Sequence, residues 1–190
     1  MTETIRTVQY GAGRTALLDA TVRVVARSGL RKLTNRAVAE EAGVTHGLVG
    51  HHFGSRDALI EAALRHVVDK NIGDPVLEAE ITSVDEFAVG LIDLVDSDPD
   101  SQAFLYELIL EGRRRPELRR SIDEQYADFR EATRRQLNRL GLGDAPGLDI
   151  AIFALLDGLV FQYVTENRPG VIEHALAAMR QLLRTAAAPD

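Results

Sequence analysis

Between Thr34 and Arg56 lie most of the side chains whose types and spacing invite chemistry: Thr34, Arg36, Thr45, His46, His51, His52 and Arg56, with Gly47 and Gly50 among them. Three histidines in one short segment raise two possibilities, metal ligation and hydrogen bonding to a polyanion. Metal ligation fails on spacing. His46 is not four residues from His51 or His52, so no two of these imidazoles stand one turn apart as a helical metal pair does. No Cys and no nearby carboxylate pair completes a shell. Catalysis has as little support, because the chain has no Cys, no HExxH, no glycine-rich phosphate loop and no Ser/His/Asp signature. No catalytic residue, metal or cofactor is therefore expected, and an all-α enzyme using His51, His52 and Asp57 is a distant rival. What remains is a set of positions, Thr45, His46, Gly47, Gly50 and His51, that are small or hydrogen-bonding, with no acid among them. Such a surface suits phosphates and base edges.

Two short helices and a turn must position these groups. Thr34 caps a helix over 35–41, Gly43 stops it with the positive φ the turn needs, and Thr45 caps a second helix over 46–52. Ala39 and Ala42 are small enough for the helices to cross closely. Val38, Val44, Leu48 and Val49 anchor the pair on a first helix over 12–28. The unit is a helix-turn-helix. Charge agrees with it. The chain of 190 residues carries a net −7, yet residues 1–56 hold eight basic and four acidic side chains, a net +4 that leaves −11 for the remainder. A basic head on an acidic body fits a reader of double-stranded DNA with a separate second domain. Arg6 and Arg14 in an N-terminal arm add phosphate contacts.

Helical periodicity runs through the rest, and nothing alternates long enough for a strand. The fold expected is all-α, about nine helices, with a helix-turn-helix domain over 1–54 and a helical effector-binding and dimerisation domain over 55–190. A linker is expected over 72–82, a capping box at Ser83–Glu86, and helix starts at Pro99, Pro116, Pro146 and Pro169. The most apolar stretch, Ile150 to Val164, is interrupted by Asp157 and Gln162, so no membrane span is expected. The N-terminus has no signal-peptide core, and the expected location is cytoplasmic. The helix over 147–166 is apolar nearly all round and the last helix carries a matching stripe, Val171, Ala175, Ala178, Met179 and Leu182. A homodimer built from these two helices covers both. The arginines at 113–115, 119 and 120 are interleaved with acids and read as a solvated, salt-bridged face. His66, on an apolar helix face, reads as a satisfied core histidine.

The second domain spends far more helix than DNA binding needs. A moderately apolar small-molecule effector is expected there, with Phe87, Phe104, Tyr126, Phe129, Thr133, Phe153, Asp157 and Gln162 as candidate contacts. Tyr126, Phe129 and Thr133 share one face of the long helix after Pro116. A domain without a cavity above roughly 100 Å³, where ligand sites span ~300–1,000 Å³, favours the alternative that it only dimerises or binds a protein partner.

The run Leu33-Thr34-Asn35-Arg36-Ala37-Val38-Ala39-Glu40-Glu41-Ala42-Gly43-Val44-Thr45-His46-Gly47-Leu48-Val49-Gly50-His51-His52-Phe53-Gly54-Ser55-Arg56-Asp57-Ala58-Leu59 resembles the TetR family of bacterial transcriptional repressors. The close match covers residues 14–64, and Leu156-Asp157-Gly158-Leu159 adds a weaker likeness. The resemblance implies an all-helical homodimeric repressor, released from a pseudo-palindromic operator by a small molecule. It carries base contacts onto Arg36, Thr45, His46, Gly47, Gly50 and His51, and phosphate contacts onto Thr34, His52 and Arg56. Two positions depart from the family pattern: Gly50 stands where a Tyr is usual, and Arg56 where a Lys is usual.

Overall fold

The computed structural model describes residues 10–72 and 79–187. Arg6 of the expected arm, and most of the expected linker, lie outside the described residues. Among those described there are nine α-helices and no strand. They are α1 (Tyr10–Ser28), α2 (Asn35–Ala42), α3 (His46–Phe53), α4 (Arg56–Ile72), α5 (Leu91–Ser97), α6 (Pro99–Gly112), α7 (Pro116–Arg139), α8 (Leu148–Glu166) and α9 (Pro169–Ala187). The chain divides into two compact units, Met1–His66 and Val67–Asp190, so the division falls inside α4 rather than ahead of it.

In the first unit the helix ends follow the local chemistry of the sequence. The Thr34 hydroxyl accepts from the Ala37 amide at 3.1 Å, and Gly43 closes α2 at φ 68°. Val38, Ala39 and Val49 are buried together with Leu17, Leu18, Val25, Leu30, Leu33, Leu59 and Ile60, so α2 and α3 are held by one small core. Asp19 on α1 meets His66 on α4 at 2.8 Å, which satisfies that histidine structurally. Thr45 sits at the N-cap of α3 without spending its hydroxyl there.

The second unit departs from the sequence reading at its start. Glu86 accepts from the Thr82 and Ser83 amides, as a capping box requires, but the turn that follows is a single 3₁₀ turn, Val84–Glu86. Ala88 at φ 55° and Gly90 at φ 81° then break the chain before α5 begins. The C-terminal core is built from Phe87, Leu91, Val95 and Leu137 with Ile152, Leu156, Leu159 and Tyr163 of α8 and Ile172, Leu176, Met179 and Leu183 of α9. Tyr163 hydrogen-bonds Asp96 at 2.8 Å, and Arg180 donates to the Phe87 carbonyl at 2.8 Å. By length and composition alone α8 is apolar enough to cross a membrane, because Asp157 and Gln162 dilute a long apolar run too little. Only four of its residues are buried, Ile152, Leu156, Leu159 and Tyr163, while Ile150 and Phe161 are 57% and 46% exposed. Val171 and Leu182 of α9 are 53% and 67% exposed.

Candidate nucleic-acid interface and buried cavity

The groups singled out between Thr34 and Arg56 fall into exposed and structural sets. Thr34, Arg36, Thr45, His46, Gly47 and His51 are exposed, while His52 is half-buried between its neighbours. The His52 ring lies 5.6 Å from His51 and 6.0 Å from Phe53. On the Gly47 and Gly50 side of α3, a Cβ added at either glycine meets nothing within 4 Å. The second short helix therefore shows bare backbone flanked by Thr45, His46 and His51, with Val49 anchoring its opposite side. Arg14 lies on α1, with its guanidinium carbon 5.3 Å from the centre of the Phe53 ring, so this side chain borders the end of α3.

Arg56, expected as a phosphate ligand, also has a structural engagement. Its Nε donates to the Leu33 carbonyl at 3.1 Å and its Nη2 to the Leu30 carbonyl at 2.6 Å. Both carbonyls belong to the turn ahead of α2. The half-buried guanidinium thus ties the start of α4 to the entry of the helix-turn-helix. Among the described residues no cluster of three His, Cys, Asp or Glu side chains could hold a metal ion.

The second unit holds a half-open, largely apolar cavity of about 90 Å³. Of the eight side chains proposed from the sequence, Tyr126, Phe129, Thr133, Phe153 and Asp157 line it. Three do not. Phe87 and Phe104 are shut into the core, 2% and 0% exposed. Gln162 is exposed on α8, since five residues carry it about 140° round the helix from Asp157. Sequence reasoning missed Tyr106 and Gln125. The Tyr106 hydroxyl lies 3.0 Å from the Asp157 carbonyl and 3.1 Å from its carboxylate, and Tyr126 bonds the same carboxylate. Gln125 is buried, and its Oε1 has no hydrogen-bond partner. Nothing in the sequence distinguishes Gln125 from an exposed glutamine.

Burial raises the Asp157 carboxyl pKa above its ordinary value, against the lowering effect of the two tyrosine hydroxyls. Burial and the same carboxylate push Tyr106 upward and Tyr126 up to about 12. The Thr133 hydroxyl is spent on the Phe129 carbonyl at 3.0 Å, so it offers less to a ligand than its position suggests. The arginines after α6 pair locally, Arg115 with Glu117 at 3.0 Å, Arg119 with Asp123 at 3.0 Å and Arg120 with Glu124 at 3.2 Å, as a solvated face does.

Comparison with known proteins places both units. Residues 17–63 match the family described as bacterial regulatory proteins, tetR family, and residues 82–186 match the tetracyclin repressor-like C-terminal domain. Over 55 residues the chain is 44% identical to the HTH-type transcriptional regulator BetI of Burkholderia thailandensis, a match that covers 29% of this chain and 28% of that regulator. A transcriptional regulator from Rhodococcus sp. Rha1 shares the fold with TM-score 0.77 over 93% of this chain and 99% of its own, at 23% identity. The multidrug binding protein EbrR, in a crystal structure with ethidium, aligns with TM-score 0.66 over 94% of this chain and 99% of its own, at 26% identity. With a tetR-type helix-turn-helix at one end and a repressor-like helical domain over more than half its length, the chain belongs to the TetR family and is a DNA-binding transcriptional regulator.

Proposed function

We propose that this regulator is a homodimeric repressor that holds a pseudo-palindromic operator and leaves it when a small molecule enters the C-terminal domain. Arg36, Thr45, His46, Gly47, Gly50 and His51 read the major groove, while Thr34 and His52 meet phosphates. The observation that carries the DNA half is the open face of α3, where exposed hydrogen-bonding groups flank two glycines with free space above them. A helix bare at those positions admits close approach of its backbone to the duplex. Arg56 acts mainly by holding the motif in shape. A chain that meets chromosomal DNA works in the cytoplasm of a bacterium.

The dimer reading rests on α8 and α9. Ile150, Phe161, Val171 and Leu182 are large, apolar and exposed, and Ala151, Ala154 and Gly158 leave α8 slim enough for a second helix to come close. A second copy of the same face is the simplest cover. Two such protomers present recognition helices to successive major grooves about 34 Å apart. The effector reading is supported by a cavity with aromatic walls, a carboxylate and an unpartnered amide oxygen, and by the ethidium complex of the structural neighbour EbrR. At about 90 Å³ the cavity is below the ~300 Å³ at which ordinary ligand sites begin. The effector reading therefore calls for a small head group with lining side chains that part around the rest of the ligand, and a domain that only dimerises or binds a protein partner is the alternative. A ligand that binds only the widened form supplies the differential affinity that shifts the dimer. The deciding experiment is selection from random duplexes with the full-length protein. Enrichment of an inverted repeat is expected, and recovery of no preferred site overturns the operator reading.

A further inference from the structure

The lining of the cavity narrows the chemistry of its ligand. Tyr126 and Phe129 from α7 meet Phe153 from α8, the first edge-on at 5.4 Å and the second stacked at 6.2 Å. Asp157 stands one turn along α8 from Phe153, with its carboxylate bonded by the hydroxyls of Tyr106 and Tyr126. Among the described residues that line the cavity, Asp157 is the one charged side chain, and no Lys, Arg or His accompanies it. Gln125 adds an acceptor, a buried Oε1 without a partner. Aromatic faces carry the negative end of the ring quadrupole, so each ring face that a ligand reaches presents the same sign as the carboxylate and the amide oxygen.

We propose that this cavity, taken as the ligand site inferred above, selects an organic cation: a protonated or quaternary amine head group held against the faces of Tyr126, Phe129 and Phe153 and opposite the Asp157 carboxylate. The proposal rests on the effector reading and goes beyond it by naming the ligand's charge. A neutral ligand brings no countercharge to the half-buried carboxylate, which has only the two tyrosine hydroxyls beside it, and an anion adds repulsion. A volume of about 90 Å³ suits a compact head group whose remainder parts the apolar walls.

The test uses two compounds of one shape, phenyltrimethylammonium and its uncharged isostere tert-butylbenzene, titrated calorimetrically into the full-length protein at constant ionic strength. The cation is expected to bind about tenfold more tightly or better, from a buried ion pair and cation–π contact. Asp157→Asn, which keeps the shape and an acceptor for the tyrosines, is expected to abolish that preference while leaving tert-butylbenzene within about twofold of wild type. Phe153→Leu, which keeps an apolar wall without a ring face, is expected to weaken the cation several-fold more than the isostere. If the two compounds bind equally, or if the preference for the cation survives Asp157→Asn, the cation assignment is overturned and the effector reading stands. If neither compound binds, the cavity is no ligand site and both fall.

Discussion

Gly50 is the residue at which stability and recognition separate most cleanly. A glycine inside a helix costs about 1 kcal/mol relative to alanine, and an added Cβ here meets nothing within 4 Å. Gly50→Ala is therefore expected to raise the urea midpoint by an amount equivalent to ~0.5–1 kcal/mol. If the bare backbone of α3 lies against DNA, the same variant loses operator affinity while gaining stability. A stabilised variant with unchanged operator affinity shows that Gly50 faces away from the duplex. Asp157 offers a second separation, through pH. Its carboxyl pKa is raised in the fold, chiefly by burial, so the folded state holds this proton more tightly than the unfolded chain. Stability therefore falls as pH rises from the ordinary aspartate range through the raised value. Asp157→Asn is expected to melt higher than wild type near neutral pH, with the advantage vanishing as pH is lowered through that range. Tyr106 from α6 and Tyr126 from α7 face the carboxylate, Arg130 lies near enough to Tyr126 to act on it electrostatically, and both tyrosines titrate far above this window. A melting difference that does not change with pH overturns this account of Asp157.

At the scale of elements, the start of α4 and the outer faces of α8 and α9 make opposite demands. Arg56 spends two donors on main-chain carbonyls of the turn before α2. Arg56→Ala removes charge-assisted hydrogen bonds and leaves half-buried carbonyls without these partners, a loss of about 2 kcal/mol of stability. Arg36 is exposed, so Arg36→Ala is expected to leave stability within about 0.5 kcal/mol and to cost ~1–3 kcal/mol of operator binding. Chemical unfolding beside operator titration distinguishes the two arginines, and a stable, DNA-defective Arg56→Ala restores the phosphate role. On α9, Leu182 is 67% exposed. Leu182→Glu places a charge where the second copy is proposed to dock, so dissociation to monomers is expected, at a cost of about 2 kcal/mol or more in association. Sedimentation reads this directly. A Leu182→Glu protein that sediments as wild type does removes this face from the interface.

For the whole molecule, the net charge of −7 and the basic first 56 residues make separate contributions to DNA binding. Affinity follows the local field and the phosphates neutralised, so the acidic body does not prevent it. Binding to the selected operator is expected to weaken steeply with salt. Each phosphate contact contributes a slope of about −0.9 in log K against log salt, so a dimer making roughly four contacts falls by more than tenfold between 50 and 200 mM. A flat salt profile is incompatible with an interface built on Arg36, His52 and the basic N-terminal segment.

Local chemistry made the first unit legible in the sequence. Thr34 as a cap and Gly43 with positive φ depend on neighbours a few residues away, so short-range geometry determines them, and the apolar spacing of Val38 and Val49 marks the faces that are buried. The proline starts of α6, α7 and α9 are legible for the same reason. The break between residues 87 and 91 was not, because Ala88 carries no sign of a positive φ; the packing of Phe87 into the core accompanies it. Nor does periodicity say whether a buried ring lines a cavity or fills a core: Phe104 and Phe129 both look inward, and only the relative rotation of α6, α7 and α8 separates them. The phosphate role of Arg56 comes from the family resemblance, while its bonds to the Leu30 and Leu33 carbonyls, more than twenty residues away, are visible only in the fold. The sequence alone determined the all-helical class, the Thr34 cap and the helix-turn-helix motif. Which side chains share the cavity, and that a carboxylate stands there among aromatic rings, was decided by tertiary packing, because those contacts join α6, α7 and α8 across long stretches of chain.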